Sequence, residues 1–289
     1  FKLYNNLGLV YGRAGMKEAA VKALRKAVRL KPTEPFLHTN LAIELKKIDY
    51  DECVAEMKKT AEEHPENEHV WFNWGAIVHE QGHYDEAAGL YQRALSVNPG
   101  MAVCHYNLSS IYFLQGDYER AWPEYEWRWV HFAHFDRIRS RFRAPFWEGE
   151  SLVGKTIVLY GEQGAGDTIM ASRFIPDVKG RGAARVVLLV PPHLRALMAS
   201  AGADEVLTKW DGPLDYHCSL LSVPGILKLG CKDVGRGVRY LDPAGSSDFD
   251  WSPYDGMTKI GLCWAGNPRH PNDHNRSIPL KEFAALDLR

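Results

Sequence analysis

Apolar and small residues recur along the first 126 positions at spacings of three and four, and turn residues interrupt them at nearly constant intervals. That spacing puts one stripe of side chains on the buried face of a helix, and the regular breaks predict many short helices in place of a few long ones. In residues 1–32 the marked positions are Tyr4, Leu7, Gly8, Tyr11, Gly15, Ala20, Leu24, Ala27 and Pro32. The offsets return, one residue short, as Leu41, Ala42, Leu45, Ala61 and Pro65. They return again as Trp71, Trp74, Gly75, Gly82, Tyr84, Ala87, Tyr91, Ala94 and Pro99. A fourth copy reads Leu108, Tyr112, Gly116, Tyr118, Ala121 and Tyr125, then departs at Arg128, where a small residue is expected. Small residues at 8, 20 and 27 let paired helices approach, larger ones at 11 and 24 fill the gaps, and proline closes the second helix.

A period of about 34 residues with these positions resembles the tetratricopeptide repeat, over about residues 1–130. The resemblance implies an α-solenoid whose concave face binds a peptide or a protein. The competing reading is an array that only supports its neighbour or pairs two copies, so a homo-oligomer is compatible with it. His79 and His83 have the spacing of helical metal ligands, but Gly82 and the turn at 81–83 break the helix that would align them.

The text from Tyr125, "YEWRWVHFAHFDRIRSRFRAPFWEGESLVGKT", is rich in arginine and aromatics. Stacking on RNA is one use of such a composition. Aromatic spacings of two to four fit better with a helix that buries one face, and predict a capping helix and linker over 127–150. Beyond it the pattern changes to continuous apolar runs. "KTIVLY" and "ARVVLLV" read as buried parallel strands, "DEVL" and "DYHCSL" as shorter ones, and the intervening segments as helices, including one over 168–178 and one over 191–202. This alternation predicts a Rossmann-like, doubly wound α/β lobe over 151–256. A second unit, 257–289, starts with the strand-like "KIGLCWAGNP" and a helix after Ser277, its expected cap, and stops far short of the ~100 residues such a lobe takes.

Composition narrows the classes. A hydrophobic fraction of 45% and a charged fraction of 25% are those of globular domains, and 289 residues hold at least two. A net charge of −1 supplies no overall attraction to nucleic acid or anionic membrane, and no run approaches the roughly 18 apolar residues of a membrane span. The five cysteines are scattered without a CxxC pair, which predicts reduced thiols in a cytoplasmic setting. The first residue is Phe1, with no initiator Met, so a piece of a longer chain is expected.

The first strand runs into "GEQGAGD", where Gly161, Gly164 and Gly166 precede Asp167. A strand, a glycine loop and a helix together bring backbone N–H groups close to a ligand. The loop is not a P-loop, because no lysine follows Gly166. It is a poor dinucleotide fingerprint, because Ile169 stands where the third glycine belongs and the second strand ends in "LLVPPH", without a ribose-binding acid.

Taken together, "GEQGAGDTIMASRF", "DYHCSLLSVP" and "IGLCWAGNPRHPNDHNRSIPL", behind the repeats and "YEWRW", resemble bacterial tetratricopeptide-repeat glycosyltransferases, which are related to heptosyltransferases and similar in architecture to O-GlcNAc transferases. The resemblance implies the first lobe of a GT-B-type, metal-independent transferase that moves a sugar from a nucleotide-sugar co-substrate to a protein or glycan acceptor presented by the repeats, without a cofactor; with its second lobe truncated, the chain as it stands is expected to be an inactive fragment. It implies Asp167 as the base that takes the acceptor hydroxyl proton, facing an oxocarbenium-like transition state. As a plain helix cap Asp167 is equally well explained. The resemblance also places Gly161, Gly164, Gly166 and His217 at the acceptor, and Asn267, Arg269, Arg276 and Ser277 at the donor diphosphate; solvated loop polar groups and a buried structural histidine are the plainer readings. The rival function is a non-catalytic protein-binding scaffold with a degenerate α/β lobe.

Overall fold

The computed structural model describes residues 1–235, 237, 239–242, 250, 252–257, 266, 273 and 277–285. The chain divides into two compact units, Phe1–Ala244 and Gly245–Arg289. The first unit opens with four antiparallel helix pairs: α1 Lys2–Arg13 with α2 Lys17–Leu30, α3 Pro35–Leu45 with α4 Tyr50–Glu63, α5 Glu68–Glu80 with α6 Tyr84–Val97, and α7 Ala102–Leu114 with α8 Tyr118–Glu126. The helices inside a pair approach as the small residues require. A methyl group at Gly8 would sit 2.5 Å from Leu24 Cγ, and one at Gly75 would sit 2.8 Å from the Tyr91 ring. Either substitution would force the pair apart.

Successive pairs are also stitched at one recurring position. His38 Nε2 meets the carbonyl of Pro32 at 2.7 Å, Trp71 Nε1 donates to that of Pro65 at 2.9 Å, and His105 Nε2 meets that of Pro99 at 2.9 Å. Each contact satisfies a carbonyl near the end of the preceding helix, where no intrahelical donor remains. In the two histidine cases the other ring nitrogen contacts a carboxylate, Glu56 for His38 and Glu124 for His105.

The join holds two short helices where the aromatic spacing predicts one. These are α9 Arg128–His131 and α10 Ala133–Arg139, separated by Phe132 at φ −104°, ψ 85°. The chain then runs alongside the sheet, where Trp147 N–H donates to His217 O and His217 N–H to Pro145 O.

Four parallel strands follow: β1 Thr156–Tyr160, β2 Arg185–Leu189, β3 Glu205–Leu207 and β4 Tyr216–Ser219. Their order is β3-β2-β1-β4, every pairing parallel, with Val158 registered between Val187 and His217. Ile157–Tyr160 of β1 and Val186–Leu188 of β2 are buried, which accounts for the unbroken apolar runs of the two central strands. The helix predicted over 168–178 is interrupted: α11 Ala165–Ala171 passes through a 3₁₀ turn into α12 Ile175–Lys179. Pro176 has no N–H to continue the ladder. The one predicted over 191–202 shrinks to a 3₁₀ turn at Pro192–Leu194 and α13 Arg195–Met198, because Pro191 and Pro192 donate nothing. Gly202, at φ +88°, then reverses the chain. Two further short helices, α14 Val223–Ile226 and α15 Cys231–Val234, complete the unit.

The repeats and the sheet share their packing through α8, α9 and α14. Trp122 Nε1 donates to Leu229 O at 2.8 Å, Gln163 Nε2 donates to Tyr125 Oη at 2.6 Å, and Arg128 is wholly buried between them. Arg128 takes the repeat position that Ala27, Ala61 and Ala94 fill earlier, and here the gap opens onto the sheet. Its Nε donates to Glu162 Oε1 at 2.9 Å, one terminal nitrogen to Glu126 Oε1 at 2.6 Å, and the other to Ser222 Oγ at 2.6 Å. The Tyr125 and Trp129 rings lie 4.4 and 4.7 Å from the guanidinium carbon. Glu162 also receives the Ser219 hydroxyl.

In the second unit the strand predicted from Lys259 lies outside the described residues. Ser277 does not cap a helix: its hydroxyl accepts from Gly266 N–H at 2.9 Å and donates to Asp273 Oδ1 at 2.7 Å. The helical segment begins only at Leu280 and is 3₁₀ through Ala285.

Removing Arg128 leaves the Glu162 carboxylate buried without its countercharge. Arg128→Ala is expected to lower the unfolding free energy by about 3–5 kcal/mol in urea titrations. A double replacement, Arg128→Met with Glu162→Leu, is expected to cost less than the single change. A double variant as unstable as Arg128→Ala would show that packing, not charge, holds the joint.

Candidate functional site

In an open parallel sheet, ligands lie beyond the carboxyl ends of the strands, next to the point where strand order reverses. Here the order reverses between β1 and β4. The groups at that point are Glu162, just after β1, and Ser219, the last residue of β4; the Ser219 hydroxyl donates to Glu162, and Glu162 in turn accepts from Arg128. The side chains of Arg128 and Glu162 have no exposure to solvent. Arg128, at the end of the last repeat, therefore occupies the point where an open parallel sheet ordinarily takes its ligand.

The glycine loop lies beside this plug. Gly161 leaves β1 with its Cα hydrogen against Thr168, where a methyl group would fall 2.3 Å from the hydroxyl oxygen. Gly164 precedes α11, and its N–H donates to Asp167 Oδ2 at 2.9 Å, so the carboxylate caps the helix that follows. Thr168 Oγ1 returns to Gly164 O at 3.2 Å. Gly166 is exposed with open space around it. Asp167 is half-buried, and its second oxygen makes no hydrogen bond among the described residues.

His217 sits on β4, buried. Its Nδ1 lies 3.1 Å from Tyr160 Oη, and Phe142 stacks on it at 4.6 Å. Burial, reinforced by the nearby positive charge of Arg139, pushes its pKa down to about 4, so the ring is neutral at neutral pH. Of the donor-side residues, Asn267, Arg269 and Arg276 lie outside the described residues. Ser277 is held by Gly266 and Asp273. Among the described residues no group of three or more His, Cys, Asp and Glu side chains is arranged to hold a metal ion.

Two of the concave regions of the first unit bear on the candidate sites. One lies over the carboxyl ends of β1, β2 and β3, on the far side of β1 from the Arg128 plug. It has a volume of 420 Å³, with Tyr160 and Leu189 at its base and Phe142, Trp210, Arg141 and Lys209 around it; Gly161 also borders it. Residues of the segment after α10 line it beside the strand ends, a juxtaposition that the sequence pattern does not reveal. The other, of 430 Å³, lies between α3 and α5 and is lined by Phe36, Thr39, Asn40, Ile43, His69 and Asn73, among others.

Asn40 and Asn73 hold one repeat position, which Asn6 and Asn107 hold in the outer copies. Asn40 Nδ2 donates to Asn5 Oδ1 at 2.8 Å, and Asn73 Nδ2 to His69 O at 2.7 Å. The carbonyl oxygen and second N–H of each amide are uncommitted among the described residues. Aligning the four copies at their small residues would have exposed this polar ladder, which the search for apolar positions passes over.

Residues 1–34 and 78–121 match the tetratricopeptide repeat family, whose repeats imply a protein partner. The human protein O-mannosyl-transferase TMTC1 is 26% identical over 113 residues, which are 37% of this chain and 13% of that protein. The chain thus spans about an eighth of that relative's length. Among solved structures, the crystal structure of MamA aligns with a TM-score of 0.40 at 17% identity, over 49% of this chain and 81% of that one. The structure MamA MSR-1 C2 aligns with a TM-score of 0.37 at 24% identity, over 48% and 76%. No described helix is long and apolar enough to cross a membrane.

A histidine that resists protonation when folded, but not when unfolded, weakens the fold in acid. The unfolded chain takes up a proton near pH 6.5 and the folded one only near 4, so stability should decline as pH falls across that window. His217→Gln is expected to flatten this part of the stability–pH curve by ~1–3 kcal/mol. An unchanged curve would show that His217 is solvated.

Proposed function

We propose that this chain is a protein-binding module: the helical repeats take an extended segment of a partner along their groove, and the parallel sheet is fused to the last repeat as a rigid second body. The observation that carries this reading is the recurrence of asparagine at one position of all four repeats, with Asn40 and Asn73 lining the groove between α3 and α5. A primary amide offers one acceptor and two donors, which match the N–H and C=O of an extended peptide whatever its side chains. Phe36 and Ile43 add apolar contact for those side chains. The matches to the tetratricopeptide family at both ends of the array support the same reading.

The test is selection of binding peptides from a random library on the intact chain, followed by titration of the best of them. Asn40→Ala with Asn73→Ala is expected to weaken binding at least tenfold, at about 1 kcal/mol for each lost hydrogen bond. Peptides that bind the double variant as well as the parent would overturn the assignment of the groove.

A second reading keeps transferase chemistry in the sheet. It is favoured by the motifs around Asp167, by the parallel sheet with an open cleft at its carboxyl edge, and by the partial similarity to an O-mannosyl-transferase. In this reading the sheet is the first lobe of a GT-B-type, metal-independent enzyme. Asp167 accepts the acceptor proton through its uncapped oxygen, Gly161, Gly164, Gly166 and His217 belong to the acceptor side, and Asn267, Arg269, Arg276 and Ser277 to the nucleotide-sugar side. Asp167→Asn separates the roles, because an amide oxygen still caps Gly164 N–H but a neutral amide does not take the proton. In a longer chain that supplies a complete second lobe, turnover of a UDP-, GDP- or ADP-sugar that is lost in Asp167→Asn, with the melting temperature preserved, is the expected result. Turnover that survives the substitution, or no turnover with any donor, would remove this reading.

A further inference from the structure

We infer that the joint between the first two helix pairs is a proton-gated clamp, which His38 closes as an imidazolium and opens when its ring loses a proton. The ring is buried between two acceptors. Its Nε2 lies 2.7 Å from the carbonyl oxygen of Pro32, and its Nδ1 contacts a carboxylate oxygen of Glu56. A neutral imidazole has one N–H and can serve only one of them, whereas the imidazolium serves both. Pro32 follows α2, His38 lies on α3 and Glu56 on α4, so one protonated ring ties the first pair to both helices of the second. The surrounding charges favour that proton. Glu56 and Glu63, both on α4, act on the ring, while Lys31 and Glu34, which flank Pro32, pair with each other. The hydrogen bond from Glu56 outweighs the burial that opposes a charge, and the His38 pKa is raised above its usual 6.5.

The later pairs supply the comparison. In the third, Trp71 donates its indole N–H to the Pro65 carbonyl from the same repeat position, a bond that contains no titrating group. In the fourth, the histidine form returns, with Pro99 and Glu124 as the two acceptors of His105. When the His38 ring is neutral, either the Pro32 carbonyl at the helix end loses its donor or Glu56 faces a ring lone pair. The bonding that closes the joint is then incomplete, and local opening of α1 and α2 becomes easier. Linkage gives the direction. The clamp contributes in full below pH 6.5, and its contribution declines as pH rises through the raised pKa of the folded chain. Beyond its part in the clamp, α3 is a wall of the helical groove, and its Asn40 donates to Asn5 of α1 across the same joint. Opening the clamp therefore frees that wall, a consequence for binding that rests on the peptide-groove reading.

Two measurements on the intact chain test the clamp without any peptide. A nuclear magnetic resonance titration of the His38 ring is expected to show a midpoint above 6.5 that Glu56→Gln moves down. Hydrogen exchange, corrected for the intrinsic pH dependence of the rate, should show protection of the α1 and α2 amides falling at least tenfold between about pH 6 and about pH 9, while β1 and β2 keep theirs. His38→Trp, which copies Trp71, should abolish that fall, and so should His38→Gln, whose amide donates without titrating. A midpoint at or below 6.5, protection that does not change with pH, or the same fall in both His38 variants would each overturn the clamp. A peptide selected on the chain should bind more weakly as pH rises in the parent but not in His38→Trp, a comparison that leaves His69 in the groove unaltered. Affinity indifferent to pH would overturn the regulatory role while the exchange result stands, and the absence of any binding peptide would count against the groove reading alone.

Discussion

A guanidinium removed from water must be answered on every side, and Arg128 is answered from three elements at once. Glu126 and the aromatic rings belong to its own end of the array, Glu162 to the loop after β1, and Ser222 to the start of α14. A charge in this position has few tolerable arrangements, because losing any partner leaves a buried group unpaired. The joint is therefore a point of geometric definition. It fixes which end of the helical array meets the sheet and holds the glycine loop beside the last repeat.

That choice has consequences for chemistry. In an open parallel sheet a ligand lies beside the point where strand order reverses, and here Arg128, Glu162 and Ser219 occupy that point. Space reopens one strand away, over β1 to β3, where unpaired cations and stacked aromatic rings replace the acid–base cluster. The helical groove has a different character: the amides of Asn40 and Asn73 line it together with Phe36, Ile43, His69 and Glu34. These two concavities of the first unit are similar in size and lie on elements whose relation is set by one buried ion network.

Much of this was legible beforehand, element by element. Gly8, Gly75 and Pro32 mark close approach and helix ends because backbone sterics act within one pair of neighbouring helices, and the runs "TIVLY" and "RVVLL" mark buried strands because a sheet covered on both faces leaves no polar alternation. Interruptions inside predicted helices were less legible. Pro176 and the pair Pro191–Pro192 are visible in the text, but an apolar periodicity that continues across them conceals the break. Arg128 was conspicuous as a departure from the repeat, yet nothing in its neighbours names Glu162, 34 positions away, as its partner.

The sequence by itself determined the local units: repeated helix pairs, apolar strands, a glycine turn before a helix, and an acid placed to cap it. These follow from propensity, periodicity and excluded volume, which act over a few residues or one repeat. Only the tertiary structure decided that Asp167 spends one oxygen on Gly164 N–H, that His217 is buried against Tyr160 and Phe142, and that Arg141 and Lys209 share a cleft while Arg128 is sealed away. Those facts depend on which distant groups come within a few ångströms. Charge, burial and hydrogen bonding are properties of such encounters, and they arise only when the chain has closed on itself.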